Sequence, residues 1–379
     1  AGIAYALTGL DWLHWIALHL ALLGGVSQLI VGAGQFFSCA FLATDPPSRR
    51  MIGAQLLAWN TGTALVAVGV PTAITPLVDA GGLLLGIGLV LFAISLRDMQ
   101  RRSLQRARWA LRWYQACAVC LGLGGLLGLL LARDTSWPHG SLLGAHLALT
   151  LGGWLGTAII GTLHTFFPSL TATTLRHPRL QGPTFTLWLL GVGELALGAA
   201  IGADAVIAAG WVTLLLAAAL LELNLLASLR GASATLALPA RLIALAQTFL
   251  PAGLLLALVV TLKAGGAAPF VGPARSALAA LLLVGWIGLT VAGSLLHLLA
   301  ILARVRSFAR AIPASHPALD RSLTAAAGIG VGGLALSHAP GLGPLATPAD
   351  ALVAAIACLL ATRVGTLAIS AARPMRPTT

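Results

Sequence analysis

The chain has 379 residues, of which 58% are hydrophobic and 8% are charged, and its mean hydropathy is +0.95. Such a composition excludes an ordinary water-soluble domain and predicts a polytopic membrane protein. The formal net charge is +12, which in this class indicates basic cytoplasmic loops rather than nucleic-acid binding. We therefore predict an all-α transmembrane helical bundle that forms one domain over residues 1–379, with lipid as its surroundings.

About eleven apolar stretches are long enough to be membrane helices. They cover roughly 9–42, 51–74, 77–96, 109–131, 140–172, 184–201, 205–229, 242–262, 277–302, 323–336 and 351–369. No internal repeat is evident. The odd number of stretches and the external start inferred below lead us to expect a twelfth helix or a cleaved signal upstream of Ala1.

Arginine placement predicts the orientation, because basic residues accumulate in cytoplasmic loops. The arginines that fall on one side of the predicted bundle are Arg49, Arg50, Arg97 to Arg108, Arg176, Arg179, Arg230, Arg241, Arg304 to Arg310, Arg373 and Arg376. The other side has short loops rich in glycine and proline. The N-terminus is therefore expected outside the membrane and the C-terminus in the cytoplasm.

The stretch 140–172 carries two histidines, His146 and His164. Their spacing equals a whole number of α-helical turns, so both are expected on one face, about 27 Å apart along the axis. The stripe between them includes Gly153 and Gly161. Because the side chains on this helix face are small, a flat group could approach the helix backbone there.

Buried histidines are costly in a bilayer and usually mark a site. Four of the nine fall inside predicted spans and pair by depth: His19 with His146 near the outside, and His164 with His297 near the inside. Two imidazoles from different helices predict axial ligation of the iron of b-type haem, one or two groups per chain. The alternative is that each histidine only bonds a neighbouring helix.

Two residues near His297 extend the inner prediction. Gly293 lies one turn before it, and Arg304 just beyond it would neutralise haem propionates. Copper has little support, because the chain holds only three methionines and a single CxxC pair. Glu194 and Glu222 fall within predicted spans and are candidates for a proton path. Their alternative role is a protonated carboxyl that bonds a neighbouring helix.

Two segments carry a resemblance to a known family: HLALLGGVSQLIVGAGQFF from His19 and HLALTLGGWLGTAIIGTLHTFFPSL from His146. They resemble subunit I of the haem–copper oxidases, especially bacterial membrane relatives linked to nitric-oxide response or to copper nitrite reductases. The resemblance implies a twelve-helix bundle in the bacterial inner (plasma) membrane, with His19 at a haem-ligand position. The chain departs from an oxidase because the sixth span has no histidine pair and the ninth has no His-x-His. We do not expect a typical oxygen reductase.

The function expected from these observations is electron transfer by a membrane-integral haem protein, as a component of an oxidoreductase. A quinol or an external donor would supply electrons, and nitric oxide is a candidate ligand. Partner subunits or further copies of the chain are also expected. Two alternatives stay open: a proton-coupled transporter, and a structural subunit of a respiratory complex without its own cofactor. Broken helices or inverted repeats would favour the transporter.

Overall fold

The computed structural model describes residues 11–105, 108–133, 135–231, 236–306 and 316–372, and within them the protein is all-α, without a strand. The prediction of a helical bundle is confirmed. The basic residues Arg106, Arg310, Arg373 and Arg376 of the predicted cytoplasmic loops lie outside the described residues.

The α-helices follow one another through short connections. They are α1 (Asp11–His19), α2 (Ser27–Leu42), α3 (Arg49–Gly69), α4 (Thr75–Arg102), α5 (Arg108–Leu131), α6 (His139–Leu147), α7 (Thr157–Leu170), α8 (Gln181–Ile201), α9 (Asp204–Leu229), α10 (Leu238–Ala264), α11 (Ala268–Val271), α12 (Arg275–Ala279), α13 (Leu289–Arg306), α14 (Pro317–Leu336) and α15 (Ala346–Ala372).

Three long helices contain a π-helical segment, in which the backbone bonds skip one more residue than in an α-helix. The segments are Leu20–Val26 between α1 and α2, Ala148–Gly156 between α6 and α7, and Ala280–Gly288 between α12 and α13. A hydroxyl follows the first two: Ser27 donates to the carbonyl of Leu22, and Thr157 to that of Gly152. Each of these carbonyls also accepts the backbone N–H of the same residue, Ser27 or Thr157, so the hydroxyl adds a second hydrogen bond to it.

The π segments reveal an internal similarity that we did not find in the sequence. The second and third both contain Gly-Trp-aliphatic-Gly, and a further glycine follows each at the same interval, Gly161 and Gly293. In the first helix, Gly34 lies as far after His19 as Gly161 lies after His146. The three helices therefore share a local pattern of register change followed by close packing.

Ten helices within the described residues are long and apolar enough to cross a membrane. They match ten of the predicted stretches; α14, the counterpart of 323–336, is not among them. Asp320 and Arg321 in its first two turns lower its apolar character.

Helices α14 and α15 nevertheless lie side by side as an antiparallel hairpin. A Cβ at Gly330 would lie 3.1 Å from Val353, and one at Gly333 would lie 3.3 Å from Ala349. Further along, Arg363 of α15 pairs with the buried carboxylate of Asp320 at 3.3 Å. These contacts run along most of α14, so α14 and α15 share the same depth.

The described residues form two compact units. One comprises the described part of Ala1–Thr162 with Leu189–Gly210, and the other comprises Leu163–Trp188 with the described part of Trp211–Thr379. In the first unit, α3 and α4 cross at a glycine pair, where a Cβ on Gly62 or Gly81 would lie 2.8 Å from the carbonyl oxygen of the other. The prediction of a single domain stays a prediction.

Candidate functional site

His19 ends α1 immediately before the first π segment. Its Nδ1 lies 2.9 Å from the carbonyl oxygen of Trp15, and its ring stacks on the Trp15 indole with 3.9 Å between centroids. The stacking and the hydrogen bond both orient the imidazole. The tryptophan that precedes His19 by one turn is therefore part of the site.

His146 lies near the end of α6, just before the second π segment. Its Nδ1 lies 2.8 Å from the carbonyl oxygen of Gly124 in α5. Gly128, one turn further along α5, makes room for the ring, since a Cβ there would lie 3.1 Å from Cε1 of His146. Neither glycine was predicted to be part of the site, although their four-residue spacing indicates that one face of α5 is free of side chains.

These hydrogen bonds fix the tautomer of both imidazoles. A carbonyl oxygen can only accept, so Nδ1 carries the proton in His19 and in His146. In the neutral ring, Nε2 is then the atom with a free lone pair, and among the described residues it has no hydrogen-bond partner in either histidine. A ring nitrogen held this way by its neighbour is the usual arrangement of a metal-binding histidine.

Two sets of contacts hold the helix of His19 and the helix of His146 parallel and in register. The indole Nε1 of Trp154 donates to the hydroxyl of Ser27 at 2.8 Å. Further along, Tyr114 bonds Thr162 at 2.8 Å, and its ring would lie 3.1 Å from a Cβ at Gly34. Ser27 follows His19 by as many residues as Trp154 follows His146, so these contacts bring the two histidines to the same level.

The two imidazoles are near enough for a positive charge on His146 to act on His19. Both Nε2 atoms of the outer pair are available as ligands. Each side chain is half-buried. Such a donor set fits a metal ion that needs two axial nitrogen ligands, as haem iron does.

The glycine stripe has a different role from the one predicted. A Cβ at Gly153 would lie 2.6 Å from Cβ of Cys120, and a Cβ at Gly161 would lie 2.4 Å from Cβ of Trp113. Both neighbours belong to α5. The stripe is filled by a packed helix, so Gly153 and Gly161 bring helices together instead of receiving a cofactor.

Gly293 needs the same correction. A Cβ on it would lie 2.8 Å from Ile243 and from the carbonyl oxygen of Pro239, both in α10. The absence of a side chain at Gly293 thus lets α13 approach α10 closely. Small residues in membrane helices serve close packing more often than ligand binding, and single-sequence analysis does not separate the two.

The prediction that His146 and His164 share one face assumes a regular α-helix between them. The π segment Ala148–Gly156 lies between the two histidines and changes the rotation per residue. Whole-turn spacing in the sequence therefore does not by itself place both histidines on one face. Nothing in the sequence alone marks where an α-helix widens.

The inner pair, His164 and His297, lies on α7 and α13 of the second unit. His164 is buried, with 1% of its surface exposed. The ring that contacts His297 is that of Phe166, edge to face at 5.4 Å between centroids. Phe166 and His164 are two residues apart on α7, so they leave it in nearly opposite directions. Arg304 is exposed and its charge acts on His297.

The two membrane glutamates are both half-buried. Among the described residues, Oε2 of Glu194 and Oε1 of Glu222 are buried without a hydrogen-bond partner. The expected alternative, a carboxyl bonded to a neighbouring helix, does not apply to these two oxygens.

A buried group of hydrogen bonds near Glu222 was also not predicted from the sequence. The fully buried side chain of Asn224 accepts a hydrogen bond from the backbone N–H of His177 at 2.9 Å and donates one to its carbonyl at 3.0 Å. One helical turn on, the hydroxyl of Ser228 accepts from the N–H of Arg176. These residues fix the segment that leads into α8, and this role accounts for the burial of the Asn224 amide.

No group of three or more histidine, cysteine, aspartate or glutamate side chains in the described part of the chain is arranged to hold a metal ion. A haem does not require one, because the macrocycle supplies four ligands and the protein supplies at most two. No family model matches the chain, and no curated protein matches it significantly.

Proposed function

We propose that this membrane protein binds b-type haem with His19 and His146 as the axial ligands of the iron. The observation that carries the proposal is the shared hydrogen-bond pattern, in which Nδ1 of each ring donates to a backbone carbonyl and Nε2 is left as the ligand atom. The matched level of the two histidines adds to it.

The haem would supply reversible one-electron exchange at its iron. The residues around it have definable tasks. Trp15 and the carbonyl of Gly124 orient the two rings, and Gly128 leaves space for the ring of His146. Backbone hydrogen bonds to Nδ1 raise the basicity of Nε2 and so strengthen ligation.

We further propose that the chain serves electron transfer in the bacterial inner membrane. The electron donor would be a quinol or an external protein, and the electron acceptor would be a partner subunit. Alternatively, the haem protein would respond to nitric oxide. The resemblance of the segments around His19 and His146 to haem–copper oxidase subunit I supports this direction. A second haem between His164 and His297 stays a prediction, because the ring that contacts His297 belongs to Phe166.

For the topology, we propose eleven crossings with the N-terminus outside and the C-terminus in the cytoplasm. Ten helices qualify by length and composition. The antiparallel contact of α14 with α15 supports its inclusion as the eleventh.

The test is a reduced-minus-oxidised visible spectrum of purified protein produced with ample haem. We expect a sharp reduced band near 560 nm, roughly the position given by bis-imidazole ligation of b-type haem. His19→Ala and His146→Ala should each abolish low-spin ligation, whereas His139→Ala, on the same helix as His146, should keep the spectrum. No Soret absorption in the unaltered protein would refute the proposal.

A second candidate function is proton-coupled transport, favoured by the partnerless carboxylate oxygens of Glu194 and Glu222. Uncompensated polar atoms in the bilayer usually serve a translocation path. Transport would be favoured if proteoliposomes acidify when a substrate gradient is imposed and if Glu222→Gln abolishes the acidification. The purified protein should then also show no haem spectrum.

A further inference from the structure

A cavity of about 550 Å³ opens in the first unit where α3 begins and α4 nears its end. Its wall includes Ser48 and Met51 from the start of α3, and Ile94, Arg97 and Arg101 from α4. This is the arginine-rich end of both helices, which we place in the cytoplasm.

The cavity wall carries positive charge that the protein does not neutralise. Arg97 and Arg101 are four residues apart on one helix, so their side chains lie on the same face and repel each other. Asp98 also lines the cavity, but its carboxylate is paired with Arg102 at 3.1 Å. Among the described residues, neither Arg97 nor Arg101 has an ion-pair or hydrogen-bond partner. An anion between them would remove the repulsion and gain charge-assisted hydrogen bonds.

The remaining wall combines a polar and an apolar part. The hydroxyl of Ser48 caps α3 by accepting from the N–H of Met51. Met51 and Ile94 provide apolar surface, and Ile94 lies two turns deeper along α4 than Arg101. Ser95, also on the wall, is 3% exposed and tied to Gln35 at 2.9 Å. The two guanidinium groups at the mouth and the apolar surface beneath them suit an amphiphile with an anionic head.

We infer that this cavity binds a net-negative, phosphate-bearing ligand through Arg97 and Arg101. An anionic phospholipid of the arginine-rich leaflet matches both parts of the wall, with its phosphate at the arginines and its chain against Met51 and Ile94. Free phosphate is the other source of the same chemistry. The site is separate from the histidines proposed to bind haem.

The test uses the full-length protein, delipidated in a neutral detergent and titrated with phosphatidylglycerol, phosphatidylcholine or inorganic phosphate while bound lipid is counted by native mass spectrometry. We expect phosphatidylglycerol to bind, and Arg97→Gln/Arg101→Gln to weaken it at least about tenfold, as expected for loss of two charge-assisted contacts. The control Arg176→Gln/Arg179→Gln removes equal charge from another loop and should bind normally.

The titration with inorganic phosphate shows whether the ligand of this cavity is a lipid or free phosphate. Displacement of phosphatidylglycerol by millimolar phosphate assigns the site to free phosphate, and its absence assigns the site to lipid. A second variant, Met51→Trp, narrows the cavity but keeps both arginines, and it too should weaken binding. Equal affinity in the unaltered protein and the double arginine variant, with unchanged elution volume and helical circular dichroism, would overturn the inference.

Discussion

The indole of Trp154 and the hydroxyl of Ser27 form a 2.8 Å hydrogen bond between the two helices that carry His146 and His19. Trp154 is 1% exposed, and its ring also lies 6.4 Å from that of Trp59, centroid to centroid. The bond sits at the same distance in sequence from each histidine. It therefore sets their relative height as well as joining the helices.

Trp154→Phe removes this hydrogen bond and keeps an aromatic ring. We expect a loss of about 1 kcal/mol in stability from the missing bond, together with reduced haem content, because the helices carrying His19 and His146 lose their register. Trp286→Phe is the matched control, since Trp286 donates to Gln247 at 3.2 Å in the second unit. It should lower the thermal midpoint similarly and leave the haem spectrum unchanged. Equal haem loss in both variants would contradict the assignment.

Gly128→Val tests the space around His146. The added side chain would meet Cε1 at 3.1 Å and Nδ1 at 3.4 Å, and so push the ring away from the carbonyl of Gly124. Loss of such an orienting bond weakens metal binding by about 10-fold to 100-fold, which a haem titration followed at the Soret band will measure. Gly125→Val is the control, because a Cβ there meets no atom within 4 Å. Normal haem affinity in Gly128→Val would mean that His146 is not a ligand.

Arg363→Gln removes the cation that faces the buried carboxylate of Asp320. The side chain of Asp320 is 4% exposed and that of Arg363 is 36% exposed, so solvent partly screens the pair and we expect a loss of about 1–2 kcal/mol. Arg133→Gln breaks the pair with Asp79, in which both side chains are well exposed, and should change stability by no more than about 0.5 kcal/mol. Thermal unfolding in detergent compares them, and similar losses would argue against a role for burial.

The crossing of α14 is open to a direct test with short epitope insertions in intact cells or spheroplasts. Insertions after His316 and after Gly341 should be labelled from opposite sides of the membrane. The control pair, after Asp45 and after Ala73, flanks α3, which qualifies as a membrane span. Labelling of His316 and Gly341 from the same side would show that α14 does not cross, and would place the C-terminus outside.

The helices themselves were predictable because apolar length is a strong signal, and ten of the predicted stretches match candidate membrane spans. The pairing of His19 with His146 stays a prediction, made because ionisable residues in the bilayer are rare enough to be sorted by depth. The packing role of Gly153 was not predictable, because a glycine that makes room for a cofactor and one that makes room for Cys120 look alike in sequence. The positions where the helices widen were equally hidden, and with them the direction of His164.

Each π segment means that one residue in the helix is surplus to a regular α-helix. A single-residue deletion between Ala148 and Gly156 can therefore be absorbed by conversion to α-helical bonding, whereas the same deletion in an uninterrupted helix such as α9 must shorten it or break its packing. The flanking α-helices then keep their orientation, because the deletion removes only the residue that widened the turn. The three π segments are therefore the places in these long helices where the loss of one residue disturbs the packing of the neighbouring turns least.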